Sequence, residues 1–218
     1  MKRFFQITRM DGQSARLLKY VALVEGGLLL LALTWAFFQK LPLQAALRPT
    51  LPDCALGAGA GGILLAANYA AVEYGSRWSA ALRRMKALLD VEIIPMFRAM
   101  PVTAMIVIAA LSGAGEELFF RGALQANVGI WIASLLFGAM HVWKKDALIY
   151  GVYAAIIGLI FGGLYLWRGN LWTPMLAHAV NNFGALLYYA HHRDGARKDE
   201  TNSAQAFVEF LRVPPPKL

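Results

Sequence analysis

The sequence predicts an all-α fold: a polytopic membrane helical bundle with about six transmembrane helices and one amphipathic interfacial helix. Of the 218 residues, 58% are hydrophobic and only 16% are charged, a composition that is unusual for a soluble domain. Several apolar runs approach or exceed the roughly 18–20 residues that cross a bilayer. The basic residues, which give a net charge of +8, cluster in termini and connections, as the positive-inside bias requires. The charge therefore indicates membrane orientation and not a nucleic-acid partner.

The predicted spans are six apolar runs, at 20–38, 55–74, 101–125, 128–142, 147–167 and 171–190. The first run contains Glu25, is long for the apolar part of a signal peptide and is followed by no clear small-x-small cleavage site. We therefore predict an uncleaved first helix, with the N- and C-termini both cytoplasmic. Residues 76–98 place apolar side chains at helical spacing among arginines and lysines, which predicts an amphipathic helix on an anionic membrane surface. The single Cys54 excludes an intramolecular disulfide and a cysteine-based zinc site.

The third run carries two adjacent carboxylates and an arginine, at Glu116, Glu117 and Arg121. An ionised side chain near the bilayer centre costs at least ~2.5–3.5 kcal/mol, so such residues indicate a functional site. On a helix, Glu117 and Arg121 share one face in the favourable order and can neutralise each other. Glu116 points about 100° away and is left to face a cavity. The alternative is that all three form one structural ion cluster.

Small residues punctuate several of these runs. Gly113 and Gly115, which precede the two carboxylates, leave two possibilities open: they break the third segment so that a separate helix begins at the acidic motif, or the helix continues through them. Elsewhere small residues predict close helix packing. They open the second span (Gly57, Gly59, Gly61, Gly62) and form a stripe along the fifth (Gly151, Ala155, Gly158, Gly162).

Further polar groups lie in the later runs. His141 ends the fourth run, whereas His178 and Asn182 share one helix face in the sixth. A carboxylate in a poorly solvated pocket suits a general base on water, and a histidine can position or polarise that water. A second histidine and an amide can donate hydrogen bonds to the oxyanion of a tetrahedral intermediate. Together, these residue types suit hydrolysis of an amide bond.

Three motifs therefore occur in order on apolar runs: Glu-Glu-x-x-x-Arg at 116–121, Phe-x-x-x-His at 137–141 and His-x-x-x-Asn at 178–182. This pattern resembles the CPBP family, the CAAX proteases and bacteriocin-processing enzymes that are also called the ABI family of intramembrane proteases. The resemblance covers residues 99–190, which it implies are a catalytic membrane core. The regions on either side carry no family signature: the N-terminal transmembrane helices with the amphipathic connection at 1–98, and a mixed-charge tail at 191–218.

The resemblance also implies catalytic roles for four matching residues. Glu116 would activate the hydrolytic water, helped by His141. His178 and Asn182 would form the oxyanion hole. The activity implied is that of an intramembrane endopeptidase that cleaves a membrane-associated protein or peptide.

Three other matching residues would support the site. Glu117 and Arg121 would brace it through their pairing, and Phe137 would pack beside His141 and shape the pocket. Asn181 lies outside the motif spacing, and we expect it either behind the site or facing lipid.

Many members of the family are called metalloproteases. The sequence has no HExxH zinc helix, but Glu116, His141 and His178 could supply three zinc ligands with an open fourth position. We favour a metal-free, glutamate-type mechanism with no cofactor, and zinc is the alternative.

The implied partners are the lipid bilayer and a membrane-anchored or lipidated substrate, and the implied location is the bacterial cytoplasmic membrane. The sequence does not select among prenylated C-terminal tails, peptide precursors and sorting helices. Two other classes of function stay open. One is a transporter in which the glutamate and histidines relay protons, and the other is a non-enzymatic membrane partner on a protease-like fold.

Overall fold

The computed structural model describes residues 12–97 and 100–188, and every regular element in these ranges is helical. The α-helices are α1 (Gly12–Gln39), α2 (Leu43–Ala46), α3 (Leu51–Glu73), α4 (Ala80–Leu88), α5 (Ile94–Phe97), α6 (Val102–Glu117), α7 (Gln125–Met140), α8 (Leu148–Arg168) and α9 at 172–188. π-Helical turns at Leu89–Ile93 and Leu118–Leu124 join α4 to α5 and α6 to α7. The all-α prediction is therefore confirmed.

Four stretches of the described chain are long and apolar enough to cross a membrane: Gly12–Gln39, Leu51–Arg77, Val102–Met140 and Lys145–Arg168. The protein is an integral membrane protein. The third stretch has 39 residues and would measure about 58 Å as a straight helix, twice the thickness of the hydrocarbon core. It divides at Gly129, whose φ of 76° and ψ of 168° are accessible almost only to glycine. This division falls at the second residue of the fourth predicted span, at 128–142, close to its predicted boundary with the third. The sixth predicted span, at 171–190, extends past the described residues.

Of the two possibilities for Gly113 and Gly115, the structure has the continuous helix, because α6 runs through both. Both glycines instead mark close helix contacts. A Cβ on Gly113 would lie 2.7 Å from the Met175 carbonyl oxygen, and one on Gly115 would lie 2.8 Å from that of Glu25. The absence of a side chain lets α9 and α1 approach α6 at these points, and the irregularity in the segment is the π turn that follows.

The small-residue contacts predicted from the sequence bring α3 against α9 and α8 against α7. A Cβ on Gly57 would lie 2.5 Å from the Thr173 carbonyl oxygen, and a Cβ on Gly158 would lie 3.2 Å from the Ser134 Cβ. Gly59 and Gly62 face open space, so only part of the glycine run serves packing.

The amphipathic connection forms α4, the π turn Leu89–Ile93 and α5. Ser79 caps α4, since its hydroxyl accepts a hydrogen bond from the Leu82 amide. Three apolar side chains of the connection, Leu82, Met85 and Leu89, line a cavity inside the protein. The helix was expected to rest on the membrane surface, and its contribution to an internal cavity was not predicted. The predicted tail, 191–218, lies outside the described residues.

Candidate active site

The innermost part of the site is a buried ion pair. Arg121 Nη1 donates to Glu117 Oε1 at 2.9 Å, and both side chains are at most 1% exposed. Arg121 Nη2 donates to the Gly158 carbonyl oxygen at 3.0 Å, and the guanidinium lies 4.5 Å from the Phe137 ring centroid, a cation–π distance. The predicted pairing is confirmed. The arginine ties α8 and α7 to the π turn Leu118–Leu124, an irregularity of a kind that is frequent at functional sites.

His178 is attached to the same carboxylate. Its Nδ1 lies 2.9 Å from Glu117 Oε1, and because a carboxylate only accepts, Nδ1 carries the proton. The ring stacks on Phe161 at a centroid distance of 5.0 Å. These contacts fix its orientation, so that Nε2 points to Glu116 Oε2, 4.0 Å away.

Asn182 is held by a chain of amides that starts on α3. Asn68 donates to Asn181 Oδ1 at 2.7 Å, and Asn181 donates to Asn182 Oδ1 at 3.3 Å. Asn182 Nδ2 then donates to the Ser112 hydroxyl at 3.1 Å. Of the two expectations for Asn181, lipid exposure is wrong, because the residue is 6% exposed. It does not lie behind the site either, because it lines the same cavity as His178 and Asn182. Its polar side chain is hydrogen-bonded to two other amides.

His141 terminates the helix that carries Phe137. Its Nδ1 lies 2.7 Å from the Phe137 carbonyl oxygen, an acceptor, so that Nδ1 is the protonated nitrogen and Nε2 is available to accept. The Phe137 ring lies 4.7 Å from the His141 ring and 6.1 Å from the His178 ring. The predicted packing of Phe137 beside His141 is confirmed, and the phenyl ring separates the two imidazoles.

Glu116 lies between His178 and Glu25. Its Oε2 is buried and, like Glu117 Oε2, has no hydrogen-bond donor within reach among the described residues. The carboxyl group of Glu25, on α1, lies within hydrogen-bonding distance of the Glu116 carboxyl. Sequence reasoning used Glu25 only against a signal peptide. The signal that could have found it was present, since a lone carboxylate inside an apolar span indicates a site as clearly as the acidic motif does.

These side chains surround a cavity of about 430 Å³, a volume typical of ligand sites. Its polar lining includes Glu25, Ser112, His141, His178 and Asn182. The rest is mostly apolar, with contributions from α1, α3, α4, α5, α6, α7, α8 and α9. Glu116 is not part of the lining itself and borders the cavity through its neighbours Glu25 and His178.

The described residues include no group of three His, Cys, Asp or Glu side chains placed to hold a metal ion. The predicted zinc ligands Glu116, His141 and His178 are therefore not gathered into a three-ligand set in this arrangement. One nitrogen of each histidine is also engaged, by Glu117 and by the Phe137 carbonyl oxygen.

Comparison with known proteins supports the family resemblance. Residues 98–184 match the family model described as "Type II CAAX prenyl endopeptidase Rce1-like", so the predicted resemblance is confirmed for this segment. The chain is also 30% identical over 112 residues to the uncharacterized protein YpbD of Bacillus subtilis strain 168, a match that covers 50% of this chain and 59% of YpbD. The chain thus spans less than two thirds of that relative. No solved structure matches significantly.

Proposed function

Because residues 98–184 have the sequence of an Rce1-like CAAX endopeptidase, we propose that the protein is an intramembrane endopeptidase that hydrolyses a peptide bond of a membrane-associated substrate. One observation carries the proposal. His141, His178 and Asn182, from two of the motifs, line one cavity, and Glu116, from the third motif, lies 4.0 Å from His178. Scattered structural polar residues would have no reason to converge in this way.

In the proposed reaction, Glu116 is the general base. Its carboxylate takes a proton from water as the water oxygen attacks the scissile carbonyl carbon. His141 accepts a hydrogen bond from that water through Nε2, because its Nδ1–H is committed to the Phe137 carbonyl oxygen. The proton on Glu116 then passes to the leaving amine nitrogen as the C–N bond breaks, which restores the carboxylate.

Asn182 and His178 are the proposed oxyanion donors. One amide hydrogen of Asn182 is used by Ser112, and the other is available for the oxyanion. Since Nδ1–H of His178 donates to Glu117, Nε2 can donate only when the ring is an imidazolium. The Glu117 carboxylate would stabilise that cation. Each such donor contributes roughly 3–4 kcal/mol of transition-state stabilisation.

The proposed substrate is a prenylated C-terminal tail or another lipid-anchored peptide. The name of the matching family supports this choice, and so does the apolar lining of the cavity, because an aliphatic or isoprenoid group is stabilised by removal from water. We further propose that the protein lies in a bacterial cytoplasmic membrane with both termini cytoplasmic, so that such tails reach the cavity from the side on which they are made.

The test is cleavage of a farnesylated peptide ending in Cys-aliphatic-aliphatic-X, and of the same peptide without the farnesyl group, followed by mass spectrometry. Wild type, Glu116→Gln and a control, Glu73→Gln, are compared in detergent with and without a strong chelator. We expect cleavage of the farnesylated peptide by wild type and control, and loss of cleavage in Glu116→Gln with the chelator harmless. Activity in Glu116→Gln would refute Glu116 as the base, and loss on chelation with recovery on zinc would establish a metal mechanism instead.

A further inference from the structure

Glu25 is a buried carboxyl group that the matched family segment does not contain. It is the only charged residue between positions 20 and 38, and it is 7% exposed. Its Oε2 meets no hydrogen-bond donor among the described residues. A carboxyl group in such surroundings is costly, and no neighbouring cation in the described chain offsets the cost. Its presence therefore calls for a specific partner.

The crossing of α1 and α6 supplies that partner. A Cβ on Gly115 would lie 2.8 Å from the Glu25 carbonyl oxygen and 2.9 Å from Glu25 Oε2, so only glycine at this position admits the Glu25 side chain. Glu116 is the next residue along α6, and its Oε2 also has no donor among the described residues. The two carboxyl groups thus meet at this crossing, where Oε2 of each has no hydrogen-bond donor among the described residues and His178 Nε2 lies 4.0 Å from Glu116.

Two ionised carboxylates in a poorly solvated site repel each other strongly. The repulsion is replaced by attraction when one proton lies between them, since a protonated carboxyl donates one hydrogen bond and an ionised one accepts. Glu25 also lines the cavity together with His178 and Asn182, so that this contact is made at the site and not at a remote helix crossing.

We propose that Glu25 is a positioning residue of the active site, which shares one proton with Glu116 in a hydrogen-bonded carboxyl pair and so fixes the Glu116 carboxyl beside His178. The inference rests on the proposed function, because it assigns Glu25 a task in presenting the general base. It extends the site to α1, which lies outside the matched segment.

The kinetic test compares Glu25→Leu with Glu25→Gln, using the farnesylated peptide. Glu25→Leu keeps the helix apolar and removes the hydrogen bond, and kcat falls about 10–100-fold with KM little changed, the cost of a misplaced catalytic group. Glu25→Gln restores an N–H donor to Glu116, and most of the activity returns. Glu73→Leu, which removes a carboxylate paired with Lys86 away from the cavity, is the control and behaves as wild type.

The spectroscopic test needs no substrate. Infrared spectra of the purified protein at neutral pH show the C=O stretch of a buried carboxylic acid in wild type. The band is lost in Glu25→Gln and shifts in Glu116→Gln, because the hydrogen-bond partner has changed. A wild-type protein without the band, or a band that neither variant alters, overturns the proposal.

The outcomes separate this inference from the proposed function. If Glu116→Gln is inactive while Glu25→Leu retains full kcat, the carboxyl pair has no positioning role and only this inference fails. If Glu25→Gln is as impaired as Glu25→Leu, a hydrogen-bond donor at position 25 is not what matters, and the inference fails as well. If Glu116→Gln remains active, the proposed function fails and the kinetic argument for Glu25 fails with it.

Discussion

Glu116 and Glu117 are consecutive residues of one helix, yet their surroundings differ in almost every respect. Glu117 is fully buried, and its Oε1 is bound by both Arg121 and His178, each at 2.9 Å. Glu116 is 14% exposed, and its Oε2 lies 4.0 Å from His178 Nε2. The Oε2 atoms of both glutamates meet no donor among the described residues, so the contrast lies in the two close bonds on Glu117 Oε1. We refer to Glu117, Arg121 and His178 as the paired side, and to Glu116 and Glu25 as the open side.

The difference shows how one motif can serve both structure and chemistry. Successive residues on a helix point about 100° apart, so adjacent carboxylates must enter different environments. A carboxylate that is bound closely by a guanidinium is a poor proton acceptor for a substrate, whereas one without so close a cation is available for a proton. The paired side should therefore govern stability, and the open side should govern turnover.

The largest expected effect is on the paired side. Glu117→Leu leaves the buried Arg121 guanidinium without its counter-charge, which costs about 3–5 kcal/mol and corresponds to a fall in melting temperature of about 10 °C or more. Glu116→Leu leaves Arg121 paired with Glu117 and removes only the carboxyl partner of Glu25, so we expect a smaller fall in melting temperature. Thermal unfolding of both variants in detergent measures the contrast. Equal destabilisation by the two substitutions would contradict the division into sides.

The second prediction concerns catalysis at Asn182. Asn182→Ala removes a proposed oxyanion donor and lowers kcat by about 10²–10³-fold, with little effect on the melting temperature. Asn68 also lines the cavity, but its side chain donates to Asn181 and is not a proposed oxyanion donor, so Asn68→Leu has a smaller effect on kcat, about tenfold. Single-turnover cleavage of the farnesylated peptide gives both values. A larger loss of kcat in Asn68→Leu than in Asn182→Ala would mean that Asn182 is not the main oxyanion donor.

The third prediction concerns the helix crossing that supports the open side. Gly115→Ala places a Cβ 2.8 Å from the Glu25 carbonyl oxygen and forces α1 away from α6, which costs about 1–3 kcal/mol and lowers kcat as the carboxyl pair separates. Gly59→Ala on α3, where nothing lies within 4 Å, is the matched control and is tolerated. Melting temperature and kcat are measured for both. If Gly115→Ala changes neither, the close approach of α1 is not required.

The sequence predicted the paired side better than the open side, for a physical reason. The pairing of Glu117 with Arg121 is a local consequence of helical spacing, and the packing of Phe137 beside His141 follows from the same rule. The Glu25–Glu116 contact joins residues 91 positions apart, and the Asn68–Asn181 bond joins residues 113 positions apart. Neither can be read from periodicity in one helix.

Two glycines show the same limit of prediction from sequence. Gly113 and Gly115 are compatible with a helix break or with a close helix contact, and their spacing alone does not distinguish these two possibilities. The packing of α1 and α9 against α6 decides in favour of close contact. The apolar face of α4 was also ambiguous in the sequence, because an amphipathic helix can rest on lipid or line a cavity. The positions of the neighbouring helices show that Met85 lines a cavity.

The smallest expected effect is far from both sides, at the ion pair between Lys144 and Glu92. The Lys144 ammonium, by its hydrogen bond, holds the pKa of Glu92 below its usual range, and a weaker bond from the Trp143 indole acts in the same direction. A carboxyl whose folded pKa is depressed stabilises the fold above its unfolded pKa of about 4.3, and this contribution is lost as pH falls through the folded value.

Lys144→Ala should therefore lower the melting temperature only slightly at pH 7, because an exposed pair contributes little. The difference from wild type should vanish as the pH falls below the folded pKa of Glu92. Melting curves of the two proteins across the acid range provide the measurement. A large effect at pH 7 that persists in acid would mean that Lys144 stabilises the fold through something other than Glu92, and that stability does not depend mainly on the paired side.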